Sequence, residues 1–218
     1  MKNKKIILFD LDGTLSDPKQ GITLSVQYAL EKMSIFEPNI DKLECFIGPP
    51  LQVSFAEYYG LDKEDTQTAV QFFRERFVEK GMFENELFSG IASLLKQLKD
   101  ANYNLVVATS KPTIFAEKIL HYFAIDHFFE LVVGSNLDGS RSSKTEIIQY
   151  ILDKYIEHEK GKFIMVGDRK HDIIGANNTG IDSIAVTYGY GNFEELETSN
   201  PTVILNSVEE LQIVLTFS

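Results

Sequence analysis

Short apolar runs, each followed by a helical periodicity, recur along most of this 218-residue chain, and that alternation restricts its fold more than any other feature. Such runs are buried on both faces only in a parallel sheet covered by helices, so the pattern predicts an α/β core. The spacing predicts strands at Lys5–Phe9, Leu105–Thr109, Leu131–Val133, Phe163–Val166, Ile184–Thr187 and Val203–Leu205. Ile91, Leu94, Leu95 and Leu98 share one helical face, and Ile147, Ile148, Ile151 and Leu152 share another. The last stretch, Val208 to Leu215, starts after Ser207, an N-cap with Glu210 three residues on, as in a capping box.

The alternation breaks once. Between Asp17 and Leu87 there is no strand pattern, only helical ones. Ile22, Val26, Ala29, Leu30 and Met33 recur at helical spacing, with Pro18 near the start. A short helix over Asp41 to Phe46 is stopped by Gly48-Pro49-Pro50, another runs from Leu51 to Tyr59, and a longer one spans Lys63 to Lys80. The expected architecture is therefore a Rossmann-like parallel sheet core, residues 1–16 and 88–218, with residues 17–87 inserted as a helical domain.

Charge narrows the partners. With a net charge of −11 and a pI near 4.8, the chain is a poor ligand for a nucleic-acid polymer or an anionic membrane. A small anionic substrate remains open, because a local basic pocket outweighs the global field at short range. The lone Cys45 excludes an intrachain disulfide and reads as a small buried hydrophobe. The apolar run Ile6–Phe9 is too short for a signal peptide, and no stretch approaches the roughly 20 apolar residues of a membrane span. The expectation is a soluble, cytoplasmic protein, a monomer or weak homodimer.

Four motifs carry chemistry. Asp10-Leu11-Asp12-Gly13-Thr14 follows the first strand, at the end where α/β folds bind ligands. An Asx turn alone would explain one such aspartate. A second acidic pair, Asp168 and Asp172, closes the strand ending at Val166, where helix capping would explain one acid better than two. If these four carboxylates converge, they repel one another and take up protons unless a cation neutralises them, and all-oxygen ligation beside a phosphate favours Mg²⁺. His171, inside this motif, reads as a surface residue. Thr109 and Ser110 end a strand ahead of a helix, a grouping that suits an anion although a helix cap at Ser110 also fits. Lys144 opens a helix, where a cation opposes the helix dipole, which suggests a role beyond solubility.

The order Asp-x-Asp-Gly-Thr, strand-terminal Thr109, Lys144 and Gly-Asp-x-x-x-Asp resembles the haloacid dehalogenase superfamily of phosphotransferases. The insert resembles that superfamily's helical cap, with Asp17 and Leu87 near its hinges. The resemblance implies that the strand of Asp10 lies between those of Thr109 and Asp168. It also implies that Asp10 is the nucleophile of an aspartyl-phosphate mechanism and Asp12 the general acid/base. Mg²⁺ would be held by the Asp10 carboxylate, the Asp12 backbone carbonyl and Asp168, with Asp172 in support. Thr109, Ser110 and Lys144 would bind the phosphoryl group.

Phe46 to Leu51, Thr109 to Pro112 and Leu137 to Arg141 resemble the 5′-nucleotidase-like and phosphoglycolate-phosphatase-like branch. Gly48, Pro49 and Arg141 are therefore candidate substrate contacts. Arg74 and Arg76 are further candidates, although solvation on a long polar helix explains them better. Phe36, Phe46, Phe55, Tyr58 and Tyr59 offer stacking surface for a nucleoside, or else pack the insert's own core. The expected activity is hydrolysis of a small phosphorylated metabolite, a nucleoside 5′-monophosphate ahead of phosphoglycolate. A phosphomutase, a dehalogenase of the same fold and a non-catalytic phosphate-binding regulator are the alternatives.

Overall fold

Ile6, Ile7, Leu8 and Phe9 are all fully buried and form strand β1 (Ile6–Phe9) of a computed structural model that describes residues 4–217. Expectations touching residues 1–3 and Ser218 lie outside the described residues. Successive side chains of a strand point to opposite faces, so burying all four requires helices on both sides of the sheet. Two two-residue strands follow, β2 (Ser16–Asp17) and β3 (Glu86–Leu87), at the edges of the segment that read as strand-free. The remaining strands are β4 (Asn104–Pro112), β5 (Leu131–Ser135), β6 (Phe163–Gly167), β7 (Asp182–Val186) and β8 (Val203–Leu205).

Six strands form one parallel sheet in the order β5-β4-β1-β6-β7-β8. Phe9 pairs with Val107 on one side and Val166 on the other, so β1 lies between the strands of Thr109 and Asp168, as the family resemblance implied. The chain runs outward from β1 in both directions, which makes the carboxyl ends of β4, β1 and β6 a topological switch point. One core face gathers Ile6, Leu8, Val106, Ala108, Phe163 and Met165 under Ile147, Ile148 and Ile151 of the helix Lys144–Lys154. Each fully buried aliphatic side chain there stabilises the fold by roughly 1.5–3 kcal/mol relative to exposure.

Several boundaries differ from the sequence reading. β4 runs past Thr109 to Pro112 through a register irregularity after Ala108, and the next helix is Thr113–Tyr122 with Pro112 at its N-cap. Ser110 therefore lies in the strand and caps no helix. β7 starts two residues early because the polar Ser183 is fully buried and paired with Met165, which hides the start from an apolar pattern. Cys45 is half-buried rather than buried, its Sγ 3.1 Å from the Lys42 carbonyl oxygen.

The described residues divide into two compact units, one running up to Asp17 and resuming from Leu87 onward, the other Pro18–Glu86. In the second, the helix Lys19–Lys32 packs on Lys63–Arg76. The helix expected to reach Lys80 is α-helical only to Arg76 and finishes as a π turn, Phe77–Gly81. Residues Ile40–Phe46 form a 3₁₀ helix, begun by the Asn39 side chain accepting from the Asp41 N–H. Phe46 and Phe55 are buried edge-to-face with centroids 4.8 Å apart, so they form the unit's own core. Arg76 is bound by both oxygens of Glu84, at 2.7 and 2.9 Å, and by Ser25 at 3.2 Å, which accounts for it structurally.

Gly21 and Gly81 let helix and π turn touch backbone to backbone. A Cβ on Gly21 would stand 1.9 Å from the Gly81 carbonyl oxygen. Gly21→Ala should therefore lower stability by about 1–3 kcal/mol despite alanine's better helix propensity. Gly161→Ala, with no atom within 4 Å of the added methyl, is the control and should change little. A thermal melt showing Gly21→Ala at or above the wild-type midpoint would refute the contact.

Candidate active site

β1 ends by delivering Asp10 to the switch point with its backbone pinned, the Asp10 N–H donating to Val166 O at 2.9 Å. The buried Asp10 carboxylate accepts through Oδ1 from the Leu11 N–H (2.7 Å) and from Lys144 Nζ (2.8 Å). The chain then turns sharply. Gly13 has φ +81°, and Leu15 and Ser16 donate their N–H groups back to Leu11 O. Gly13 is required twice over, because a Cβ would also lie 2.1 Å from Asp168 Oδ2.

Asp12, also buried, pairs through Oδ2 with Lys111 Nζ at 2.8 Å, while its Oδ1 is buried without a hydrogen-bond partner. Burial raises the Asp12 carboxyl's proton affinity, and the Lys111 ammonium opposes that rise without cancelling it.

Asp168 follows β6 and is fully buried, with Oδ1 accepting from Thr14 Oγ1 (3.1 Å) and Oδ2 from the Tyr190 N–H (2.8 Å). Burial, then the charges of Asp10 and Asp172, push its pKa up to about 8. Asp172 stands in the first turn of the helix Lys170–Thr179, its Oδ2 accepting from the Arg169 N–H (3.1 Å) and its Oδ1 2.5 Å from Lys144 Nζ. Its pKa is pushed up to about 6 by burial, against the pull of Lys144. Lys144, aimed inward from its helix start, also donates to Ala108 O at 2.8 Å. Burial alone would lower its pKa; Asp10 and Asp172 outweigh burial and raise it.

Asp10, Asp12, Lys144, Asp168 and Asp172 thus meet, and Thr109 is buried at the same strand ends. Ser110 is partly exposed on the β4 extension. Arg141 does not join them. Its backbone has φ +51°, its Nε donates to Gly134 O at 3.0 Å, and its guanidinium lies 4.4 Å over the Tyr150 ring. Gly48 and Pro49 belong to the Pro18–Glu86 unit. His171 is half-buried, and burial lowers its pKa. Sequence reasoning assigned no role to Lys111, Thr14 or the Tyr188-Gly189-Tyr190-Gly191 segment. In that segment a Cβ on Gly189 would lie 2.3 Å from Gly13 O, and one on Gly191 2.0 Å from Asp168 O. Two glycines alternating with tyrosines after a strand were the available signal.

Four carboxylates facing two ammonium groups leave two negative charges if all are ionised. One oxygen each of Asp10, Asp168 and Asp172 lie within 4.8 Å of one another. That hard, all-oxygen, acid-rich set fits a divalent cation. Asp168 supplies a test without turnover. Folded, it keeps its proton up to about pH 8, against 3.8 for an unperturbed carboxyl, so between those values the folded state binds more protons and rising pH favours unfolding. In chelator, stability should fall by about 1 kcal/mol per pH unit across that window, the slope for one such group. A divalent cation should raise the melting temperature of the wild type, and Asp168→Asn should flatten the slope and abolish that rise. An unchanged slope in Asp168→Asn would refute the assignment.

Comparison with known proteins agrees with this geometry. Residues 7–186 match the haloacid dehalogenase-like hydrolase family. The chain is similar to a 5′-nucleotidase of Pseudomonas aeruginosa, 46% identical over 96% of this chain and 94% of that one. It is also similar to the tyrosine-protein kinase PtkA of Mycobacterium tuberculosis, 35% identical over 98% and 73% of the two chains. A phosphoglycolate phosphatase of Colwellia psychrerythraea is 28% identical over 99% and 98%. The crystal structure of a predicted phosphatase from Clostridium acetobutylicum superposes with a TM-score of 0.94 at 45% identity, covering 97% of this chain and 98% of that one. With the family match spanning β1 to β7 and both acidic motifs, the chain belongs to the haloacid dehalogenase-like hydrolases.

Proposed function

We propose that this chain hydrolyses small phosphomonoesters through an aspartyl-phosphate on Asp10, requires Mg²⁺, and prefers nucleoside 5′-monophosphates. The observation that carries the reading is the unequal pairing of Asp12. One oxygen is held by Lys111, and the other is buried with no partner. A purely structural carboxylate would have both oxygens bonded, because a buried acceptor left unpaired costs about 1–3 kcal/mol.

In the proposed reaction an Asp10 oxygen attacks phosphorus as the bond from phosphorus to the ester oxygen breaks. Asp12, kept protonatable by burial, gives its proton to the departing alkoxide. Asp12 then takes a proton from a water whose oxygen attacks phosphorus. The Asp10–phosphorus bond breaks, releasing inorganic phosphate and restoring both acids. Thr109 and Ser110 hold the phosphoryl oxygens as charge shifts, and Lys144, whose three N–H groups serve Asp10, Asp172 and Ala108, binds the phosphoryl group through its positive charge. Mg²⁺, held by the Asp10 and Asp168 carboxylates and the Asp12 carbonyl with Asp172 in support, would offset the repulsion between nucleophile and phosphoryl group. Pro18–Glu86 is the candidate cap, and Gly48 and Pro49 within it are candidate substrate contacts by the family resemblance.

The nucleotide preference is supported by the 46% identical 5′-nucleotidase; the phosphoglycolate reading has a relative at 28%. Phe46 and Phe55 are taken up by packing; Phe36 is exposed, and Tyr58, although its ring lies 5.9 Å from that of Phe46, keeps exposed surface, so these two are the stacking candidates. Phosphate release from a panel of nucleotides, 2-phosphoglycolate and sugar phosphates is the test. Nucleoside 5′-monophosphates should give the highest kcat/KM. A tenfold preference for phosphoglycolate would defeat the substrate choice, and transfer from ATP to protein tyrosine without phosphate release would defeat the hydrolase reading.

Asp10→Asn should abolish turnover while the fold holds or gains stability, since a nearly isosteric amide cannot attack phosphorus and one repelling charge is gone. More than a few per cent residual activity, with deamidation excluded by mass, would remove Asp10 as nucleophile. Activity should vanish in chelator, return with Mg²⁺ and fail to return with Ca²⁺, whose bonds of about 2.3–2.6 Å misplace the nucleophile.

A further inference from the structure

We propose that Lys111 is the positioning residue of the acid/base step, clamping one oxygen of Asp12 so that the other faces the leaving group. The inference rests on the reading of Asp12 as the proton donor.

Three observations support it. Lys111 Nζ lies 2.8 Å from Asp12 Oδ2, with both side chains almost wholly enclosed. Lysine is seldom buried without a partner that needs its charge. Asp12 also differs from Asp168 and Asp172. Both oxygens of Asp168 accept hydrogen bonds, and both oxygens of Asp172 are engaged, one by the Arg169 N–H and one by Lys144. Asp12 has one oxygen clamped and one buried without a hydrogen-bond partner.

The backbone that carries Lys111 is itself braced. β4 loses regular register between Ala108 and Pro112, and such irregularities re-aim side chains beside sites. Lys111 N–H donates to Thr109 Oγ1 at 3.3 Å, and Gly134 N–H on β5 donates to Thr113 Oγ1 at 2.9 Å. A Cβ on Gly134 would stand 2.1 Å from Lys111 O, so β5 holds the segment at a distance only glycine allows.

In this account Lys111 transfers nothing. The proton passes from Asp12 Oδ1 to the ester oxygen as that oxygen leaves phosphorus, and later from water back to Oδ1. Lys111 stays on Oδ2 throughout, fixing the direction in which Oδ1 points.

The test is leaving-group dependence. An alkoxide must be protonated as it departs, whereas a nitrophenolate departs unprotonated. Wild type, Lys111→Met, Lys111→Gln and Asp12→Asn are compared on a nucleoside 5′-monophosphate and on 4-nitrophenyl phosphate at saturating Mg²⁺, with folding checked by circular dichroism. Lys111→Met should lose at least tenfold more kcat/KM on the alkyl than on the aryl ester, because kcat/KM reports departure of the leaving group and not the later hydrolysis common to both. Lys111→Gln, which keeps a donor without the charge, should show the same bias to a smaller degree and serves if the methionine variant does not fold. Asp12→Asn should show the largest bias. Equal losses on both esters in the Lys111 variants, with Asp12→Asn still biased, would overturn the role of Lys111 alone. No bias in Asp12→Asn would overturn the acid role and this inference together, and so would a wild type that releases phosphate from neither ester.

Discussion

Lys144 bonded to both Asp10 and Asp172 is the interaction on which the site depends. Without that ammonium, four buried carboxylates would meet at the end of three adjacent strands with Lys111 as their one lysine partner among the described residues. Burial and mutual repulsion would then push their protons back on, as they already do for Asp168 and Asp172. Lys144 reaches the acids because its helix start is aimed at them, capped by Ser143 and Glu146 in a reciprocal capping box. The cap offsets the unfavourable dipole end at which the lysine stands.

The same crowding explains the glycines. Gly13, Gly167 and Gly189 each sit where a Cβ would come within 2.4 Å of an Asp168 or Asp172 carboxylate atom. They bring three chain segments onto the acids at distances a side chain would forbid. Tyr188 and Tyr190 then tie the outer segment down, the first donating to Thr14 O at 2.9 Å and the second to Asp17 Oδ1. The acids are therefore set by backbone contacts, which do not relax as side-chain rotamers do. Such preorganisation is what phosphoryl transfer needs, since the protein's contribution there is positioning and fixed charge.

Legibility in the sequence followed the physics of each residue. Asp10, Asp12, Asp168 and Asp172 were visible because acids directly after apolar strands have few structural explanations, and the sheet order then had to bring the strands together. Lys144 was visible because it opposes a helix dipole. Lys111 was not: a lysine past a strand end is ordinarily solvated, and its burial depends on the irregular run of β4 and on Gly134 across the sheet. Tyr190 contributes through a backbone N–H, which no side-chain pattern reports. Within Pro18–Glu86 the periodicity located the long helix but could not show its π turn, which depends on the Gly21–Gly81 approach. Arg141 was singled out by motif likeness, yet its guanidinium is occupied by Gly134 O and the Tyr150 ring.

The central claim is that phosphorus becomes covalently attached to Asp10 during turnover. The most direct measurement is acid-quench mass spectrometry of the protein reacting with a monoester, followed by peptide mapping. The account predicts a phosphoryl group on the peptide that carries Asp10, absent from Asp10→Asn and more abundant in a variant of Asp12 that slows hydrolysis of the intermediate. Phosphate release without any covalent adduct, or an adduct on a different residue, would contradict it.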